Sequence, residues 1–319
     1  MKVTAVNQAF KQVLKQVPNI HRPDGRPNVF LFSTPRSGST WLMELIWSQP
    51  GFKYCAEPLN LRNPGVRQHL GVGEWRQLYS NDAIPLLHDY FQAFCEGRLR
   101  FKNPNPFKGY FRPVTHRIVF KEIHAGGAII NWFRDNFNAR VVVLLRHPLA
   151  VSLSREELPT LTTFIDSDYQ HHFSAEQLEY SQRIVNSGTR LERGVLAWCL
   201  QNAVPLRDAT DDWAIISYEQ MVLAPLPLVG YLADKLQLPL PDRMMNRLTV
   251  PSGVKAKSDK PTQDLLAEGD STKRPWLVEK WRRKVDDAEE RAAMAILERF
   301  EIDAYRFGDP LPAGWLWVR

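Results

Sequence analysis

The run ARVVVLLR, residues 139–146, restricts the fold of this chain more than any other stretch. Its side chains are apolar at odd and even positions alike, so neither face of a strand built from it can look onto water. A strand buried on both faces belongs in a parallel sheet covered by helices. Three further short runs fit the same sheet: NVFLFS (28–33), HRIVFKEI (116–123) and DWAIISYE (212–219). Helical spacing fills the intervals, in STWLMELIWSQ (39–49), AIINWFRDNF (128–137), the stretch 175–208 and PLPLVGYLADKLQL (225–238). Further helices are expected at 1–17, where Pro18 is the stop, near 83–96, and over 276–300 in one or two pieces. Strands alternating with helices predict an α/β fold of three layers around a central, mainly parallel sheet. The 319 residues are read as one domain, 1–319.

Charge narrows the partners. Lys and Arg number 41 against 35 Asp and Glu, a net charge of +6 that suits a small anionic ligand. The most basic stretch, EKWRRK (279–284), carries its own Glu and reads as a solvated helix face, so no nucleic-acid partner is expected. Three cysteines, Cys55, Cys95 and Cys199, with no CxxC pair, argue against a disulfide framework or zinc site and for a reducing compartment. No apolar run reaches the roughly 18 residues of a membrane span, so a soluble, cytoplasmic protein is expected. The pair His171-His172 reads as a solvated turn, and the ten tryptophans chiefly as packing residues.

Chemistry concentrates in STPRSGSTW (33–41), between a strand and a helix. At a helix start the first N–H groups lack intrahelical acceptors and converge on one spot, which the helix dipole makes mildly positive. Gly38 lets the backbone approach an anion closely. Ser37, Ser39 and Thr40 add hydroxyls, and Arg36 adds a planar fork suited to phosphate or sulfonate oxygens. A magnesium-dependent P-loop kinase would show G-x-x-x-x-G-K-[ST], but the first Gly and the Lys are both absent. Such enzymes also hold magnesium with an acid at a neighbouring strand end, where this chain has Arg146. The pattern predicts a ligand with two separate anionic groups and no metal.

STPRSGSTWL resembles the 5′-phosphosulfate loop of the sulfotransferases that use 3′-phosphoadenosine 5′-phosphosulfate (PAPS). The cytosolic enzymes carry TYPKSGTTW; the carbohydrate branch carries RSGSS- or RSGST-type loops, which this chain follows more closely. The resemblance implies a P-loop-like sulfotransferase architecture. It implies Arg36 in the place of the loop lysine, Ser37, Gly38, Ser39 and Thr40 around the 5′-phosphate, and Trp41 beside adenine. LLRHPLAVSLSR (144–155) resembles the family's 3′-phosphate site, with Arg146 and Ser154 at its spacing. ISYEQM (216–221) resembles the strand-end segment whose Tyr contacts adenine, here Tyr218. The polar stretch 249–275 takes the place of the loop that closes over the cofactor, through Ser252, Lys255 and Lys257, although the family's RKG triplet is absent.

Two segments compete for the proton acceptor. YCAEPLN (54–60) resembles the EPL segment of the carbohydrate branch and puts Glu57 at the proposed base. FKEIHAGG (120–127) resembles the K-T-H segment of the cytosolic branch, with Lys121 as stabiliser and His124 as base. Here one extra residue separates Lys121 from His124. On a continuing strand that slip turns His124 to the other face, so Glu57 is preferred and His124 kept. The implied reaction moves a sulfuryl group from PAPS to a hydroxyl on a carbohydrate, glycolipid or small metabolite. The segments 61–115 and 156–210 match nothing in the family pattern and are the expected acceptor-binding insertions. The rival readings are a P-loop kinase and a non-catalytic nucleotide-binding protein of the same fold.

Overall fold

A computed structural model of the chain describes residues 19–107, 109–124, 127, 129–155, 160–248 and 274–318. The expected helix at 1–17 and nearly all of the stretch 249–275, with Ser252, Lys255 and Lys257, lie outside them.

Five strands form one parallel sheet: β2 (Asn28–Ser33), β3 (Phe52–Ala56), β5 (Arg117–Glu122), β6 (Ala139–Leu145) and β7 (Ala214–Ser217), in the order β3-β5-β2-β6-β7. A separate two-stranded parallel ribbon pairs β1 (Ile20–His21) with β4 (Val114–Thr115). The apolar alternation of the strands sorts their side chains onto two cores. Phe30, Phe32, Ile118, Phe120, Val141 and Val143 face one side. Val29, Leu31, Val119, Val142, Leu144 and Ile216 face the other. Helices Ala83–Cys95, Ile129–Asn136 and Arg190–Arg207 cover the first face, where Phe30 lies 4.5 Å from Phe120 and 4.8 Å from Phe133, ring centre to ring centre. Helices Ser39–Trp47, Pro225–Leu236 and Pro241–Leu248 cover the second. Each fully buried Leu, Val or Phe contributes roughly 1.5–3 kcal/mol of transfer free energy, which makes the expected three layers the dominant source of stability.

Two local readings change. The stretch 212–219 is a strand only at Ala214–Ser217, because Ser217 caps a new helix, Tyr218–Leu223, its Oγ accepting the Gln220 N–H at 3.2 Å. Edge strand β3 was not expected at all. Its FKYCA sequence carries Lys53, which is 2% exposed and donates from Nζ to Asn103 Oδ1 at 3.1 Å. The helix expected near 83–96 is Ala83–Cys95, and the shorter helices Pro64–Leu70 and Trp75–Leu78 precede it.

Strand order also locates a crevice. The chain leaves β2 toward β3 on one side and leaves β6 toward β7 on the other. Crossovers that diverge in this way open a gap beyond the carboxyl ends of β2 and β6, the place where parallel α/β sheets bind ligands.

Candidate active site

The loop after β2 enters this crevice. Gly38 caps helix Ser39–Trp47 at φ 91°, and its carbonyl accepts the N–H groups of Trp41 (3.0 Å) and Leu42 (3.2 Å). A Cβ built on Gly38 would lie 2.7 Å from Cδ2 of Tyr218, so both the backbone angle and the close ring require glycine. Arg36 is also left-handed, at φ 75°, with an exposed side chain. Ser37 is fully buried; its Oγ lies 2.6 Å from Thr34 Oγ1, so this hydroxyl shapes the loop from inside. Trp41 meets the Tyr218 ring edge-on at 6.5 Å.

Arg146 follows directly on β6. Its Nη1 donates to the Arg36 carbonyl at 2.9 Å, and its Cζ stands 4.1 Å from the centre of the Tyr218 ring. Its own carbonyl accepts the Trp198 indole N–H at 3.0 Å. Among the described residues no carboxylate comes within ion-pairing distance of Arg36 or Arg146. Ser154 is not joined to Arg146. It is exposed at the end of helix Pro148–Leu153, and its hydroxyl donates to the Val151 carbonyl at 2.7 Å.

The third strand end brings together Glu57, Lys121 and His124. Ala56 and Lys121 are register partners across β3 and β5, and the Glu57 N–H donates to the Lys121 carbonyl at 2.7 Å. Glu57 turns left-handed at φ 53°. Its Oε1 accepts from Lys121 Nζ at 2.7 Å and its Oε2 from Asn60 Nδ2 at 3.0 Å. His124 Nε2 lies 3.8 Å from the same Oε2. The His124 imidazole first, and then the Lys121 ammonium, hold the Glu57 carboxyl far below the usual carboxylate range, against the opposing effect of burial. Lys121 Nζ also reaches Thr40 Oγ1 at 3.4 Å, linking this cluster to the β2 loop.

The expectation that the extra residue turns His124 away is corrected here. Strand β5 ends at Glu122, so strand alternation no longer governs position 124. The buried Glu122 carboxylate accepts the N–H groups of Ile123 and His124 and bends the chain, while Trp75 packs on the imidazole at 4.9 Å. The Tyr79 hydroxyl donates to the His124 carbonyl. Beyond Tyr79 lies a cavity of about 240 Å³ lined by apolar Leu59, Leu78, Ile84 and Trp132 and by polar Ser80, Asn81, Asp168 and His172, among others.

Sequence reasoning missed Thr34, Asn60, Trp75 and Trp198. Asn60 and Thr34 had a signal, since Asn60 closes the EPLN turn three residues after Glu57 and Thr34 lies inside the loop, three residues before Ser37; Trp75 and Trp198 act across long sequence separations and had none. All three cysteines are free. No helix among the described residues is long and apolar enough to cross a membrane.

No known family profile matches the chain, and no curated protein does. Several solved structures are similar to it. One is the sulfotransferase domain of a Synechococcus olefin synthase, at 19% identity and TM-score 0.46, covering 90% of this chain and 98% of that one. Another is the sulfotransferase domain of the curacin biosynthetic pathway, at 17% identity and TM-score 0.45, covering 87% and 98%. A third is mouse sulfotransferase SULT7A1 complexed with PAP, at 12% identity and TM-score 0.42, covering 90% and 89%.

Proposed function

We propose that this protein is a sulfotransferase that moves a sulfuryl group from PAPS to an acceptor hydroxyl. The observation that carries the reading is the pairing of Arg146 with the β2 loop. Two cations with no acidic partner among the described residues stand at adjacent strand ends, joined by the 2.9 Å bond from Arg146 to the Arg36 carbonyl, with a glycine-capped helix start between them. A nucleotide with separate phosphate groups fits such a crevice. Where a P-loop kinase would carry a magnesium-binding acid, this chain carries Arg146.

In this reading the N–H groups and hydroxyls of Ser39 and Thr40, with Arg36, hold the 5′-phosphosulfate. Arg146 holds the 3′-phosphate, with Ser154, Ser252, Lys255 and Lys257 as its further proposed partners, and Trp41 and Tyr218 flank the adenine. PAPS supplies the activated sulfuryl group. Lys121 balances charge that develops on the oxygen between sulfur and phosphorus, and Glu57 takes the acceptor's proton. One observation favours a second assignment of that last step. Held far below the ordinary carboxylate range by His124 and Lys121, Glu57 is a weak base, and proton transfer is most efficient to a group that titrates near working pH. In the second assignment His124 accepts the proton and Glu57 orients and charge-balances the imidazole.

The cavity behind Tyr79 is drawn largely from the two segments expected to bind the acceptor, with Leu59, Ile129 and Trp132 from outside them, and we assign it the acceptor's unreactive part. Its walls mix apolar Leu59, Leu78 and Ile84 with Ser80, Asn81, Asp168 and His172, which can bond to an acceptor's polar groups. Such a lining suits an acceptor that carries both an apolar part and hydrogen-bonding groups. Calorimetry with PAP and with magnesium-ATP tests the donor: tight PAP binding is expected, and binding of magnesium-ATP alone would overturn the function.

A further inference from the structure

One peptide unit in the crevice is gripped from both ends. The carbonyl of the Arg146–His147 peptide accepts the Trp198 indole N–H at 3.0 Å, and its N–H donates to Glu219 Oε1 at 3.0 Å. Glu219 spends its second oxygen on the Tyr305 hydroxyl at 2.9 Å. Exposure is 1% for Glu219, 0% for Trp198 and 3% for Tyr305, so no water competes for these bonds. The Tyr305 ring also meets Trp198 at 6.0 Å and the His147 ring at 4.9 Å, both edge to face, and Trp281 stacks on His147 at 4.3 Å. The residue before Glu219 is Tyr218, whose ring lies under the Arg146 guanidinium. Adjacent residues of one helix start thus fix the side chain of Arg146 and the peptide that follows it.

A buried carboxylate is costly to keep, and burial pushes the Glu219 carboxyl up from its ordinary value. An apolar residue of the same shape would leave the His147 N–H and the Tyr305 hydroxyl without their acceptor. We propose that Glu219, braced by Tyr305, is a positioning residue that clamps the Arg146–His147 peptide and thereby sets the aim of the Arg146 guanidinium toward the 3′-phosphate of the nucleotide. The inference rests on the donor assignment above. It makes the anion site depend on the C-terminal segment of the chain, which supplies Tyr305.

The test compares binding of PAP with binding of adenosine 5′-monophosphate, which lacks the 3′-phosphate, in the full-length chain by calorimetry. The ratio of the two affinities reads the aim of Arg146, whereas general loosening of the fold lowers both affinities together. Glu219→Ala is expected to cut the preference for PAP about tenfold, the scale of effect when a preorganised binding group loses its support. Glu219→Gln should keep the preference within about threefold, because its amide oxygen still accepts the His147 N–H and its NH₂ can donate to the Tyr305 oxygen. Tyr305→Phe removes a single hydroxyl and should cut the preference about threefold; it serves if Glu219→Ala does not fold. An unchanged preference in Glu219→Ala or, where that variant fails to fold, in Tyr305→Phe overturns the clamp. A wild-type protein with no preference for PAP overturns the donor assignment instead.

Discussion

The guanidinium carbon of Arg146 stands 4.1 Å from the centre of the Tyr218 ring, while the same side chain donates to the Arg36 carbonyl at 2.9 Å. One cation is therefore stacked from one side and tethered from the other before any ligand arrives. Arg146→Ala is expected to weaken PAP binding by about 1.5–3 kcal/mol, the scale of a charged hydrogen bond. Tyr218→Leu should cost about 0.5–1 kcal/mol through the lost cation–ring contact. Titration calorimetry at fixed salt measures both.

Gly38→Ala makes a sharper structural probe. The added methyl would meet Tyr218 Cδ2 at 2.7 Å on a backbone at φ 91°. Left-handed strain costs an alanine roughly 1–2 kcal/mol, and the ring must also shift. Loss of PAP binding together with a fall of several degrees in Tm is expected. Retained affinity with an unchanged melt would show that neither the angle nor the ring matters.

The two base assignments separate by pH. If Glu57 takes the proton, its depressed titration leaves it ionised through neutral and mildly acid pH, and kcat should stay flat as pH falls from 8 to about 5. An acid limb within that range would overturn Glu57 as the base, and loss of turnover in His124→Ala with PAP affinity intact would give the proton to His124. Glu57→Gln lowers turnover in both cases, so the limb is the deciding measurement.

Stability should weaken toward acid for a definite reason. Burial pushes His147 down to about 3 and His21 down to about 4, from an ordinary value near 6.5. Between those values and 6.5 the unfolded chain binds more protons than the folded one, so stability rises with pH there and is lost as pH falls. The slope is about 1.4 kcal/mol per pH unit for each histidine. Among the described residues neither ring nitrogen of His147 has a hydrogen-bond partner. His147→Phe should therefore cost little at pH 7 and flatten the slope in urea melts between pH 6.5 and 4.

The cavity assignment has its own check. Ile84→Trp should fill much of the roughly 240 Å³ behind Tyr79. An acceptor with an apolar group should show KM raised about tenfold or more with PAP affinity unchanged, whereas an unchanged KM would remove the cavity from acceptor binding.

Much of the architecture was legible because burial writes itself into sequence. Val141 to Leu145 are apolar on both faces and lie between two cores. The loop was legible because few reasons exist to put Gly, Arg and several hydroxyls at a helix start. Strand β3 was hidden because an edge strand can bury a lysine when one loop amide, Asn103, meets it. The position of His124 was misjudged because the end of β5 is set by the Glu122 carboxylate bonding forward to the backbone, and no periodicity records that. Glu219 was invisible for a related reason: its partners, His147 and Tyr305, are 72 and 86 residues away.

The parallel sheet gathers Arg36, Glu57, Lys121 and Arg146 from the carboxyl ends of four strands, β2, β3, β5 and β6. No contiguous fragment shorter than 36–146 contains them all, and Arg146 needs Trp198, Glu219 and Tyr305 behind it. In the proposed function, ligand recognition is thus a property of the assembled sheet, complete only when the segments that carry Glu219 and Tyr305 have docked. A partly synthesised or clipped chain would carry the loop motif intact and have no working crevice.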